Sequence, residues 1–91
     1  MEIDFLKIKT IYGDSMLNNI KENINDVVMN INYFKELGFD DAYDYFERIT
    51  PFFIEDNKIF KNKINRIIEK VGHDYLYIIG EDISILEEEI W

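Results

Sequence analysis

The 91-residue chain contains no cysteine, which excludes disulfides, thiolate metal ligands and a cysteine nucleophile. Residues that interrupt regular structure are few: one proline and four glycines. The longest apolar run, residues 75–79, falls well short of the roughly 20 residues that span a bilayer. The segment MEIDFLKIK carries acids and no long apolar run, so we expect no signal peptide. These absences predict a cytoplasmic protein without a membrane-spanning segment.

Apolar residues, in contrast, are plentiful. They make up 47% of the chain, and 15% of all residues are aromatic. A chain of this length forms one domain, and this composition can fill a core without disulfides or metals. The sequence therefore predicts a single folded domain over residues 1–91.

The spacing of the apolar residues predicts three main helices. Seven of them recur three or four positions apart, which predicts a long amphipathic helix over residues 15–37: Leu17, Ile20, Ile24, Val27, Ile31, Phe34 and Leu37. Gly38 suits the end of that helix. A second helix is expected after Asp40 or Asp41, ending near Thr50-Pro51. A third runs from an Asp56 or Asn57 cap to Val71.

Two short segments are ambiguous because periodicity cannot assign short apolar runs. Residues 2–12 fit both a strand and a helix, with a helix favoured, and residues 75–79 fit a short helix or a buried strand. The sequence predicts an all-α fold, a compact domain of four to five helices around the central helix 15–37. The alternative is an α+β fold in which residues 2–8 and 75–79 pair as two strands.

Charge is distributed unevenly along the chain. The net charge is -9, from nineteen acids and ten bases. Residues 36–56 hold seven acids against Arg48, and residues 71–91 hold six acids and no base. Between them, five bases in residues 57–70 face one acid: Lys58, Lys61, Lys63, Arg66 and Lys70 against Glu69. An acidic protein repels polyanions, so we expect no direct nucleic-acid or membrane binding and a protein partner with a basic surface.

Motifs for catalysis are absent from the sequence. Phosphate-binding glycine loops, zinc-ligand spacing and nucleophile elbows are all missing. His73 beside Asp74 could form a base with an orienting carboxylate, but no nucleophile is near it in sequence. Asp40, Asp41, Asp44 and Glu47 form a carboxylate cluster without the calcium-loop pattern. We therefore expect no enzymatic activity, no cofactor and no metal site.

Charge, size and lack of chemistry predict a non-enzymatic protein–protein interaction module. More specifically, we expect a small acidic inhibitor or regulator of the type found in phages and mobile elements. Its carboxylates would occupy a basic site on the partner, such as one that binds nucleic-acid phosphates. Trp91 is included among the candidate residues because tryptophan is enriched at interface hot spots. The candidate partner-binding residues are Asp40, Asp41, Asp44, Glu47, Glu55, Asp56, Glu87, Glu88, Glu89 and Trp91.

The alternative function is a self-associating structural subunit of a larger assembly, in the simplest case a homodimer. Large apolar residues are numerous for so small a core, and Phe52 and Phe53 suit either the core or an interface. The basic segment 57–70 would then pair with acidic segments, within one copy or between two.

Overall fold

The computed structural model describes residues 3–88, and its regular structure is entirely α-helical. The eight helices are α1 Phe5–Tyr12, α2 Asp14–Glu22, α3 Ile24–Glu36, α4 Ala42–Arg48, α5 Thr50–Phe53, α6 Asn57–Val71, α7 Tyr75–Glu81 and α8 Ser84–Glu87. The all-α prediction is confirmed, but the described residues form eight helices where four to five were expected, because four of them are only four to seven residues long and one predicted helix is divided in two. The α+β alternative is wrong, because residues 5–8 and 75–79 are helical. Asp4 explains the first assignment, since its carboxylate accepts the backbone N–H of Lys7 and caps α1.

The predicted central helix 15–37 is interrupted at Asn23. This residue departs from helical geometry, with φ -118° and ψ 25°. Its side-chain amide donates to the Asn19 carbonyl at 2.8 Å, a group that also accepts the Asn23 backbone N–H. Asparagine competes with helical hydrogen bonding in this way, so the chain turns between α2 and α3 although the apolar stripe continues.

Aromatic residues form the centre of the core. Phe53 lies between Phe34, Phe46, Phe52 and Phe60, with ring centroids 5.3–5.7 Å apart. All five rings are buried. Burying each such side chain contributes about 1.5–3 kcal/mol. Phe52 and Phe53 are therefore core residues, brought there by the single turn of α5, which Pro51 helps to start.

Helix α6 begins and ends as its sequence predicts. The Asp56 carboxylate accepts the backbone N–H groups of Lys58 and Ile59 at 2.9 and 3.3 Å. Gly72 ends the helix with φ +94°, a conformation that glycine adopts without strain. The apolar face, Phe60, Ile64 and Ile67, is buried. The opposite face of α6 is left toward solvent.

The chain between α5 and α6 is held by Asn30, a polar residue that is fully buried in α3. Its side-chain amide donates to the carbonyls of Phe53 and Glu55, each at 2.9 Å. Its side-chain oxygen accepts from the Asn57 amide, also at 2.9 Å. A buried amide needs such partners, and these fix α3 against the start of α6.

The hairpin of α1 and α2 is attached to the end of α4. The Tyr12 hydroxyl lies 2.9 Å from the carbonyls of both Glu47 and Arg48, the last residues of that helix. Lys7 reaches the Glu47 carboxylate at 3.0 Å, and this hydrogen bond and charge raise the pKa of Lys7. Carbonyls at a helix end lack helical partners, so Tyr12 satisfies groups that α4 leaves open.

Candidate functional site

Helix α7 packs against the connection between α3 and α4. The Tyr75 hydroxyl donates to the Leu37 carbonyl at 2.6 Å, and its ring centroid lies 6.0 Å from that of Phe39. Leu76 lies on Gly38, where a Cβ would be only 2.9 Å from Leu76 Cδ1. Gly38 also has φ +112°. Glycine therefore suits this position for two reasons: it adopts a positive φ without strain, and it leaves room for Leu76. Residues 38 positions apart in the sequence are thereby neighbours.

This contact brings the two acidic segments of the chain together. Asp40 and Asp41 are exposed in the α3–α4 connection and Asp44 is exposed on α4, while Asp74 and Glu81 are exposed at the two ends of α7. We call these five residues the acidic surface. Like charges gathered on one side of a small protein destabilise the compact state and create a negative potential toward solvent.

Tyr45 is a buried residue of α4 whose hydroxyl reaches α7. Its side chain is buried, and its hydroxyl lies 3.6 Å from where a Cβ on Gly80 would be. Burial raises the pKa of Tyr45, and the nearby Asp41 carboxylate raises it further, against a smaller lowering by Arg48. The hydroxyl therefore stays protonated through the neutral range, and the negative charge of the surface is confined to its carboxylates.

Two large apolar side chains are exposed beside the acidic surface. Tyr77 is 71% exposed and Leu76 is 42% exposed. An exposed tyrosine is typical of interface hot spots, and the face of its ring attracts cations. The partner-binding residues predicted from the sequence did not include Tyr77, Asp74 or Glu81. The acidic composition of residues 71–91 was a signal, but the packing of α7 on the α3–α4 connection depends on the Tyr75 and Leu76 contacts.

Four of the predicted partner-binding residues have partners within the protein. Glu47 pairs with Lys7, and the Asp44 carboxylate lies 3.4 Å from Arg48. Glu55 pairs with Lys63 at 2.9 Å, and Asp56 caps α6. Among the predicted acids of residues 36–56, Asp40 and Asp41 are left as exposed carboxylates without an ion pair in the described chain.

The C-terminal part of the prediction lies partly beyond the described residues. Glu87 and Glu88 are exposed at α8, which packs on α7 through the buried Leu86. Glu89 and Trp91 fall outside residues 3–88. Their role in partner binding stays a prediction.

The predicted pairing of the basic segment occurs within the protein at one residue. Lys63 pairs with Glu55, while the other bases of residues 57–70 have no ion pair within residues 3–88. Lys61 lies over the Tyr33 ring, 5.2 Å from its centroid. A surface depression of about 610 Å³ follows this side of α6, lined by Ile59, Asn62, Lys63, Asn65, Arg66 and Glu69.

The sequence offered His73 and a carboxylate cluster as groups with possible chemistry. His73 is exposed in the turn after α6, and its side chain makes no hydrogen bond within residues 3–88. Within the same residues, no group of three or more histidines and carboxylates is placed to hold a metal ion. None of the described helices combines the length and apolarity needed to cross a membrane.

Comparisons with protein-family models, curated proteins and solved structures found no match to this chain. The acidic surface, with Tyr77 and Leu76 at its edge, is thus the feature on which a functional proposal rests.

Proposed function

We propose that this protein is a non-enzymatic interaction module that binds a basic site on a partner protein through its acidic surface. It would act there as a small acidic inhibitor or regulator. The observation that carries the proposal is the packing of α7 on the α3–α4 connection, which joins two separate acidic segments. One exposed ion pair between a carboxylate and a cation of the partner contributes about 0.2–1 kcal/mol to binding, so several such pairs are needed for useful attraction.

The partner site is expected to combine cations with an apolar or cationic group for Tyr77. Complementary charge accelerates encounter and selects the partner, while a large buried side chain supplies much of the affinity. A nucleic-acid-binding site on the partner meets this description, because carboxylates can take the positions of phosphates. Direct binding of nucleic acid is disfavoured by the net charge of -9.

Neutralising Asp40 and Asp41 tests the proposal. The partner would first be captured from a lysate of the source cells in low salt and identified by mass spectrometry. Its binding to the Asp40→Asn, Asp41→Asn protein would then be followed with purified components. We expect slower association, a smaller dependence on salt and about tenfold weaker binding. Asparagine keeps the side-chain shape and the helix-start preference of both positions.

The matched control is Asp14→Asn with Glu22→Gln, which removes the same charge from exposed positions on α2. This helix packs on α1 and α3, away from α7. Equal loss of binding in both variants would show that only net charge matters. Unchanged binding of the Asp40, Asp41 variant would contradict the proposal directly.

A further inference from the structure

The outward side of α6 carries four cations that form no ion pair with other described residues. Lys58, Lys61, Arg66 and Lys70 are exposed, and within residues 3–88 none of them has an ion pair. Ile59 lies among them with 48% of its surface exposed. We call this side the basic face. Its helix is anchored by the buried Phe60, Ile64 and Ile67, so the cations are held on a rigid element.

The basic face and the acidic surface lie on different elements of the same molecule. The acidic surface is formed by the α3–α4 connection, α4 and the ends of α7, whereas the basic face is the outer side of α6. On the basic face the four cations outnumber the exposed Glu69, and Ile59 is exposed among them; in the acidic surface the five carboxylates outnumber Arg48, and Leu76 and Tyr77 are exposed on α7. The two are complementary in sign and in their exposed apolar area.

We propose that the basic face is covered by the acidic surface of a second copy of this chain. The contact is heterologous, because two different surfaces meet and each copy keeps one of each free. Such contacts build open chains unless their rotation closes a ring. This inference uses the same acidic surface as the proposed function but another occupant, so self-association competes with partner binding.

Ionic strength sets the range in which this contact forms. Two copies repel each other through a net charge of -9 each, over centres separated by about the 25–37 Å extent of the molecule. The Debye length is about 8 Å at 0.15 M salt, so that repulsion is largely screened there, while charges in contact are screened less. At about 1 M salt the Debye length falls to about 3 Å and the contact is weakened as well.

Sedimentation velocity of the purified protein tests the contact without any partner. At about 0.15 M salt we expect the mean mass of the wild type to rise with concentration and to return to that of one copy at about 1 M. The basic-face variant Lys58→Gln, Arg66→Gln and the acidic-surface variant Asp40→Asn, Asp41→Asn should each self-associate at least about tenfold more weakly. Lys9→Gln with Lys21→Gln and Asp14→Asn with Glu22→Gln are the matched controls and should behave as the wild type.

Mixing the two variants gives the decisive result, because each keeps the surface that the other lacks. The mixture should form a complex of two copies and nothing larger, since no further pair of intact surfaces is left. A wild type that stays monomeric at millimolar concentration would overturn the inference. So would a mixture without the two-copy complex, or variants that associate as the wild type does. The basic-face variant should bind the captured partner normally, which separates failure here from failure of the proposed function.

Discussion

Asn30 is a polar residue whose side chain holds several parts of the core together. It is fully buried, and its amide makes three hydrogen bonds at 2.9 Å, to Phe53, Glu55 and Asn57. In the described residues no buried side-chain nitrogen or oxygen lacks a hydrogen-bond partner. Removing the Asn30 amide would take a hydrogen-bond donor from the Phe53 and Glu55 carbonyls and an acceptor from the Asn57 amide.

We therefore expect Asn30→Ala to lower the free energy of unfolding by about 2–4 kcal/mol, because unpaired buried groups are costly. Asn32→Ala is the control on the same helix, at an exposed position, and should change it by less than about 0.5 kcal/mol. Urea unfolding followed by circular dichroism measures both. Similar values for the two variants would show that the Asn30 hydrogen bonds contribute little.

At the scale of elements, Gly38 is the position at which Leu76 of α7 packs on the α3–α4 connection. Gly38 and Gly72 both have positive φ, +112° and +94°. A Cβ on Gly38 would press on Leu76, while one on Gly72 would meet no atom within 4 Å. A substitution by alanine would therefore strain the backbone at both positions, but only at Gly38 would it also press on Leu76.

Alanine at either glycine should cost about 1–3 kcal/mol of unfolding free energy, because residues with a Cβ are strained at these positive φ values. Gly38→Ala should also speed hydrogen exchange of the α7 amides, because Leu76 must move. Gly72→Ala should speed exchange in the middle of α7 only by the amount that its loss of global stability accounts for. Exchange measured by mass spectrometry distinguishes the two. If both variants affect α7 equally, the Leu76 contact does not hold it.

Local signals in the sequence predicted the elements better than their arrangement. The bounds of α6 followed from Asp56 and Gly72, because caps are read from adjacent residues. The break at Asn23 was missed because the apolar stripe continues across it. The hydrogen bond that competes with the helix there, from the Asn23 side chain to the Asn19 carbonyl, involves a single side chain and leaves no pattern in the sequence. Asp40 and Asp41 were selected from composition. Asp74 and Glu81 were not selected as partner-binding residues, because no local pattern encodes the Tyr75 and Leu76 contacts that pack α7 on the α3–α4 connection.

For the molecule as a whole, the clustered carboxylates should make stability depend on salt. Raising salt from about 0.01 to 0.15 M shortens the Debye length from about 30 to 8 Å and relieves repulsion between exposed acids. We expect the melting temperature of the wild type to rise. The Asp40→Asn, Asp41→Asn variant should start higher and rise less than the Asp14→Asn, Glu22→Gln control. Equal slopes for both variants would show that the clustering of acids adds no repulsion beyond net charge.

Helix α4 has only seven residues, too few for a stable helix in isolation. It is held at its C-terminal end by the Tyr12 hydroxyl, and in its middle the ring of Tyr45 packs on that of Phe39, with centroids 5.4 Å apart. Its carboxylates are therefore preorganised in the free protein. Of the acidic surface, α4 carries Asp44, while Asp40 and Asp41 lie in the turn just before it. A partner that binds Asp44 has no helix to order, so the entropy that flexible binders lose on association is lost during folding instead. Affinity then depends on the match between two rigid surfaces, and a mismatched partner cannot be accommodated by rearranging α4.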